Sequence, residues 1–374
     1  MHIAESFYHN QKNQLMTGSN DNFNNTSLST IFYTFSIIAL FVLLLIYFEN
    51  ILKPFIFALM IWYMIKEMRR MMARIKIRGK SLPKWLTGLL SFLVIVLFLF
   101  GIFQLISVNI EQFNHVASQY REKTQNLISQ MSALFKNPKI MDYLNQAVAK
   151  INIATIASNI VNSLSGFLTV FMVILVYVIF MLLEETAVYL KMDKLYPDKN
   201  KKYENFIMLI DKLDKSVRAY MFSMVFISFL TAAISYIALL ILNVDFPVLW
   251  AFLIFILNFI PYIGPFISSL LPALLAVFQF GDLMSFVYVF VILEIIQVIL
   301  GNFVQPKMMG KSLNISPLTV LVSLAFWSSI WGIVGMILAI PVTSIIIIIM
   351  AQFPATKKIA ILLSENGEFG DELH

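Results

Sequence analysis

The 374 residues are 59% hydrophobic and only 13% charged, with a mean hydropathy of +0.82. Soluble globular chains carry about 45–50% apolar and roughly 25% charged residues, so a soluble fold is excluded, and continuous rather than alternating apolar runs exclude an outer-membrane barrel. Cysteine is absent, and His2, His9, His115 and His374 all lie outside the apolar blocks, which removes disulfides, thiol nucleophiles and an intramembrane histidine relay or metal centre. No phosphate-binding Gly-Lys-Ser/Thr loop, histidine–glutamate metal motif or serine elbow is present, so neither an enzyme nor an ATP-driven pump is indicated, and no cofactor or metal is expected.

In chain order, residues 1–30 are polar and Asn-rich and read as a cytoplasmic N-terminus without a cleaved signal peptide. Residues 31–108 hold three predicted spans: 31–48, a short return at 51–65 after a turn marked by Glu49-Asn50 and Lys53-Pro54, and 85–108. The connection 66–84 carries Lys66, Arg69, Arg70, Arg74, Lys76, Arg78, Lys80 and Lys84 against Glu67. Such a basic loop belongs on the cytoplasmic side. This accounts for the net charge of +6 without a nucleic-acid partner, and by parity both termini are cytoplasmic. The short return is expected to run on into the basic segment as one helix, ended by Gly79 and Pro83.

Residues 109–165 are expected to form an external helical segment, with Leu127, Met131 and Leu134, then Ile140, Leu144, Val148 and Ile151, at helical spacing. A gate, a homo-oligomer contact and a solvated cap all fit it. Residues 166–218 read as a fourth span followed by a charged cytoplasmic hairpin.

Residues 219–350 form the predicted transport core, and 351–374 a cytoplasmic tail. The apolar stretch 248–280 is broken after Asn258 by Pro261, Gly264 and Pro265; 317–350 is broken near Gly332, with Gly335 and Pro341 following. Pro247 to Gly264 spans 17 residues and Pro317 to Gly335 spans 18. Paired Gly/Pro-interrupted segments point to a transporter site near the bilayer midplane. The expected fold is therefore all-α: a polytopic transmembrane protein with two broken-helix, re-entrant hairpin segments in an inverted repeat. Pro-kinked helices and short full spans remain open alternatives.

Glu294 lies amid apolar residues in the span 283–300, with Gln297 three residues on and Asn302 eight. An ionisable group in hydrocarbon is costly and marks a pathway by default. On a continuous helix these three share one side; with Asn258 and Gln305 they are the predicted substrate or ion pathway, suited to H+ or Na+ coupling. The backbone released at the break is expected to complete a shell around the carboxylate.

Asn258-Phe259-Ile260-Pro261-Tyr262-Ile263-Gly264-Pro265 with Pro272, the run from Gly301 through Gln305-Pro306-Lys307-Met308-Met309-Gly310-Lys311 to Ser316-Pro317, and Trp331 to Pro341 together resemble the autoinducer-2 exporter family of permeases. That resemblance implies an eight-span topology in the bacterial inner membrane, with members linked to autoinducer-2 export and others to Na+(Li+)/H+ antiport. Where relatives commonly carry histidine before the proline, this chain has Ser316. The expected partners are membrane lipids and a small polar solute or monovalent cation. The expected function is secondary transport, and the competing reading is a non-transporting membrane scaffold.

Overall fold

The computed structural model describes residues 28–73, 153–197, 201–309 and 314–367 and, between them, 76–77, 80–81, 83, 86–94, 96–97, 100–101 and 104. The external helices expected at 109–152 lie outside the described residues. The chain divides into two compact units, Met1–Leu52 and Lys53–His374.

In the first unit, α1 (Leu28–Tyr47) is a 20-residue apolar helix. It ends at Phe48, whose carbonyl accepts from the N–H groups of Ile51 and Leu52 at 3.0 and 2.9 Å. There α2 (Glu49–Ala73) begins, and it carries Pro54 inside it. The turn expected at Glu49-Asn50 and Lys53-Pro54 is thus confined to Phe48, just before Glu49, and Pro54 is accommodated inside the helix because a proline near a helix start costs few backbone bonds. The return and the start of the basic segment are one helix, as the sequence suggested.

In the second unit, Ala58 and Ile65 of α2 are buried against Ile174 and Val178 of α3 (Ile153–Leu195), with Phe57, Ile61, Met64 and Met68 alongside. These α2 residues recur at three- and four-residue spacing, which places them on one stripe. Beyond α2, Lys76–Ile77 (β1) pairs antiparallel with Lys80–Ser81 (β2) in the basic connection, with Lys76 opposite Ser81.

The boundary expected at residue 165 falls inside α3, an unbroken 43-residue helix. The charged segment is the continuation of α3 and of α4 (Lys201–Ile241) past the apolar layer. Tyr203 donates to Asp193 at 2.8 Å across the connection, and this acceptor carboxylate holds the phenol above its ordinary range.

The remaining helices are α5 (Pro247–Leu257), α6 (Ile263–Phe280), α7 (Leu283–Ile299), a π-helical turn (Leu300–Val304), α8 (Gln305–Met309), α9 (Pro317–Trp331), α10 (Ile333–Met350) and α11 (Pro354–Leu363). A core of Ala232, Leu239, Val244, Ala251, Ile254, Ala273, Ala276, Val289 and Leu293 joins α4 to α7. Its alanines let the helix backbones approach closely, as intramembrane packing requires. Helix α4 also packs against α8 and α10, so both broken stretches lean on one helix.

Among the described residues, Phe206–Ile241, Ile263–Phe280, Leu283–Met308 and Ile333–Met350 are each long and apolar enough to cross a membrane; Phe35–Tyr47 with Glu49–Met72 qualifies only as a broken pair. Outward-facing side chains on these helices are large and apolar, such as Phe229, Ile237, Ile241 and Tyr288. Lipid is the solvent for those faces. The protein is a multi-pass, all-α membrane protein of the inner-membrane type.

Candidate functional site

Two helical hairpins lie in the expected transport core, and a glycine shapes each. At the first, α5 ends at Asn258 and α6 begins at Ile263. A β-carbon on Gly264 would stand 1.8 Å from the Leu257 carbonyl oxygen. At the second, one on Gly335 would stand 1.9 Å from the Trp327 carbonyl oxygen. Only glycine lets the returning helix lie this close to the outgoing one.

The sequence placed the breaks too broadly. Gly264 and Pro265 lie in the first turn of α6, and the first break is Asn258–Tyr262, with Pro261 alone of the predicted residues inside it. The second break is Gly332 itself, at φ +64° and ψ −141°. Gly335 and Pro341 lie inside α10. Trp327 Nε1 donates to Thr343 Oγ1 at 3.0 Å and ties the two arms of this hairpin together.

The first break satisfies most of its own backbone. The N–H groups of Asn258, Phe259, Ile260, Ile263 and Gly264 donate to Ile254, Ile256, Leu257, Pro261 and Ile260 respectively, over 2.7–3.2 Å. The expected shell of released backbone around Glu294 is therefore not built there. Closure of this turn puts Tyr262 at φ +62°, ψ −53°, a strained conformation for a bulky residue.

The predicted polar residues separate into different settings. Gln297 is buried, and its Nε2 donates at 3.0 Å to Ser268 Oγ, which itself donates to the Pro265 carbonyl at 2.8 Å. Ser269 donates to the same carbonyl at 3.1 Å. Asn258 is 7% exposed, and its Oδ1 has no hydrogen-bond partner among the described residues. Gln305 reaches α4, with its Nε2 3.8 Å from Met224 Sδ.

Glu294 looks elsewhere. It lines an open groove of about 260 Å³ with Phe290, Val291, Ile295, Val298 and Ile299, all on α7, and its Oε1 is buried without a hydrogen-bond partner among the described residues. Asn302 is exposed on the π-helical turn. There Gln305 N–H donates to the Leu300 carbonyl, five residues back rather than four. The expected alignment of Glu294, Gln297 and Asn302 presumed 100° per residue throughout; the wider turn begins beyond Gln297 and breaks that register for Asn302 alone. Such turns concentrate at functional positions.

Sequence reasoning missed two features. The hydroxyls of Tyr220, Ser228 and Ser235 on α4 and of Ser344 on α10 are buried without partners; the spacing of Ser228, Thr231 and Ser235 along a span was the available signal. Gln279, at the end of α6, accepts from the Asp245 N–H at 2.8 Å and donates to the Asn243 carbonyl at 2.7 Å, clamping the loop that enters α5. No group of three or more metal-ligating side chains occurs among the described residues.

These hairpin residues fall within a recognised pattern. The sequence profile of the AI-2E family transporter matches residues 35–355. The chain belongs to this family. It is 28% identical over 325 residues to a Haemophilus influenzae protein provisionally named a transport protein, covering 86% of this chain and 92% of that one. It is 27% identical over 319 residues to the AI-2 transport protein TqsA of Escherichia coli K12, covering 84% and 90%. A Borreliella burgdorferi relative, also provisionally named a transport protein, is 33% identical over 203 residues, or 54% of this chain and 56% of that one. In AI-2E terms, the matched region runs from within α1 through the turn after α10, so every feature described above except α11 lies inside it.

Proposed function

We propose that this AI-2E protein is a secondary transporter, moving a small polar molecule of the autoinducer-2 type or exchanging Na+ for H+, with Glu294 as its coupling carboxylate. One observation carries the reading. Glu294 Oε1 is buried and unpartnered in an otherwise apolar groove on a membrane-spanning helix. A scaffold has no use for a carboxylate in hydrocarbon, whereas a mobile cation or proton supplies the missing partner. Unsatisfied hydroxyls on α4 and α10, which pack together, add polar groups for a route through the protein. The name of the Escherichia coli relative makes autoinducer-2 the first cargo to test.

The test is flux into proteoliposomes under imposed pH and Na+ gradients, with autoinducer-2 as a separate arm. Glu294→Gln keeps the size and hydrogen-bonding capacity of the side chain and removes its charge. It is expected to insert and fold normally while losing gradient-driven flux. Wild-type flux with an unchanged pH profile would make Glu294 a structural residue.

A further inference from the structure

Beyond the last span, the region expected as a tail contains a seated helix. Thr356 Oγ1 donates to the Met350 carbonyl at 2.7 Å, which fixes the start of α11 to the end of α10. Ala360 is fully buried. At the other end, the Leu363 carbonyl accepts from the Ser316 N–H at 3.1 Å and from Thr319 Oγ1 at 2.9 Å, at the start of α9. Asn366 N–H donates to Asn314 Oδ1 at 3.2 Å. Four contacts on two sides hold a ten-residue helix in one place.

That placement leaves an apolar surface uncovered. Phe353, Ile359 and Leu362 are 56%, 49% and 81% exposed. Ala355, Ile359 and Leu362 recur at four- and three-residue spacing and so share a face, with Lys358 beside them. Only Ala351, Gln352 and Phe353 separate the span Ile333–Met350 from α11, so the helix stands at the edge of the apolar layer.

We propose that α11 is an interfacial helix, with Ile359 and Leu362 in the headgroup–acyl boundary and Lys358, at the edge of that face, against anionic lipid headgroups. A short helix with an apolar face bordered by a basic residue lies in the plane of such an interface, and the basic residue is attracted to an anionic surface. The Leu363 carbonyl then joins this lipid-contacting helix to the first turn of α9, so the bilayer surface holds the base of the second hairpin.

The cysteine-free chain allows a direct test. Full-length protein carrying a nitroxide at Leu362→Cys or Ile359→Cys is placed in phosphatidylcholine nanodiscs with or without phosphatidylglycerol. Collision with oxygen and with a water-soluble nickel chelate is then compared with Ile346→Cys and Glu365→Cys references. The expected result is an oxygen-to-nickel ratio shifted toward that of Ile346, and shifted further by phosphatidylglycerol only while Lys358 is intact. A ratio matching Glu365 places the face in water and overturns the proposal. A label shielded from both reagents places the face under a second copy of the chain or another protein and overturns it equally. A ratio indifferent to phosphatidylglycerol overturns the role of Lys358.

Discussion

At Gly264 and Gly335 the obstacle to a side chain is a backbone carbonyl of the opposing helix, not a movable side chain. Relief would require the arms to separate. Gly335→Ala is therefore expected to lower the thermal midpoint in detergent by the equivalent of about 1–3 kcal/mol or more, the range of overpacked cores. Gly332 offers the contrast. Nothing lies within 4 Å of its would-be β-carbon, but its φ is +64°. The cost of Gly332→Ala is backbone strain, about 1–3 kcal/mol. At ψ −141° this position lies outside the left-handed helical well that Asn tolerates, so Gly332→Asn is expected to melt as low as Gly332→Ala. A Gly332→Asn variant melting well above Gly332→Ala would show that the turn relaxes into that well.

Among the elements, α2, α3 and α4 are joined by charge. Lys66 Nζ lies 2.5 Å from Asp214, Arg218 lies 3.5 Å from Asp214 and 3.3 Å from Glu67, and Arg69 pairs with Glu185. Lys66 also lies 4.5 Å from the centre of the Trp62 ring. Three cations thus meet three anions on side chains 16–24% exposed. An exposed pair is worth about 0–1 kcal/mol, but Asp214 serves two partners. Asp214→Asn is expected to destabilise more than Asp211→Asn, whose pair with Lys215 is 56–67% exposed, as read by melting at low salt. This network also shows what the sequence could convey. The basic residues of 66–84 were legible as a topology signal, yet their pairing with Glu185 and Asp214 needs helices more than 100 residues apart to meet. The glycines and prolines announced that two stretches were broken, while the location of each break depended on which turn could satisfy its own backbone. Glu294 was legible because a carboxylate in an apolar run is rare. Its separation from Asn302 was not, because no residue type announces a π-helical turn.

For the whole molecule, the outstanding question is which face is cytoplasmic. The basic connection sets the expectation. In intact cells, Arg74→Cys is expected to resist a membrane-impermeant maleimide and to react once the membrane is opened, with no native cysteine to confuse the reading. Labelling from outside would invert every span together. Both broken stretches depend on α4, through α5 and α7 for the first and α10 for the second. A displacement of α4 is therefore shared between them, and variants in its buried hydroxyl face should perturb both hairpins together.

The π-helical turn at Leu300–Val304 has a mechanical meaning as well. It is a dislocation in an otherwise regular rod: an extra residue is accommodated without opening either end. A dislocation can migrate one step at a time by exchanging one five-residue bond for a four-residue bond. Each step turns the intervening side chains about the axis while the ends stay anchored. Glu294 stands just upstream of this defect, and Gln305 is moored to α4 just downstream. The span thus carries its helical dislocation between its lone carboxylate and its contact with α4.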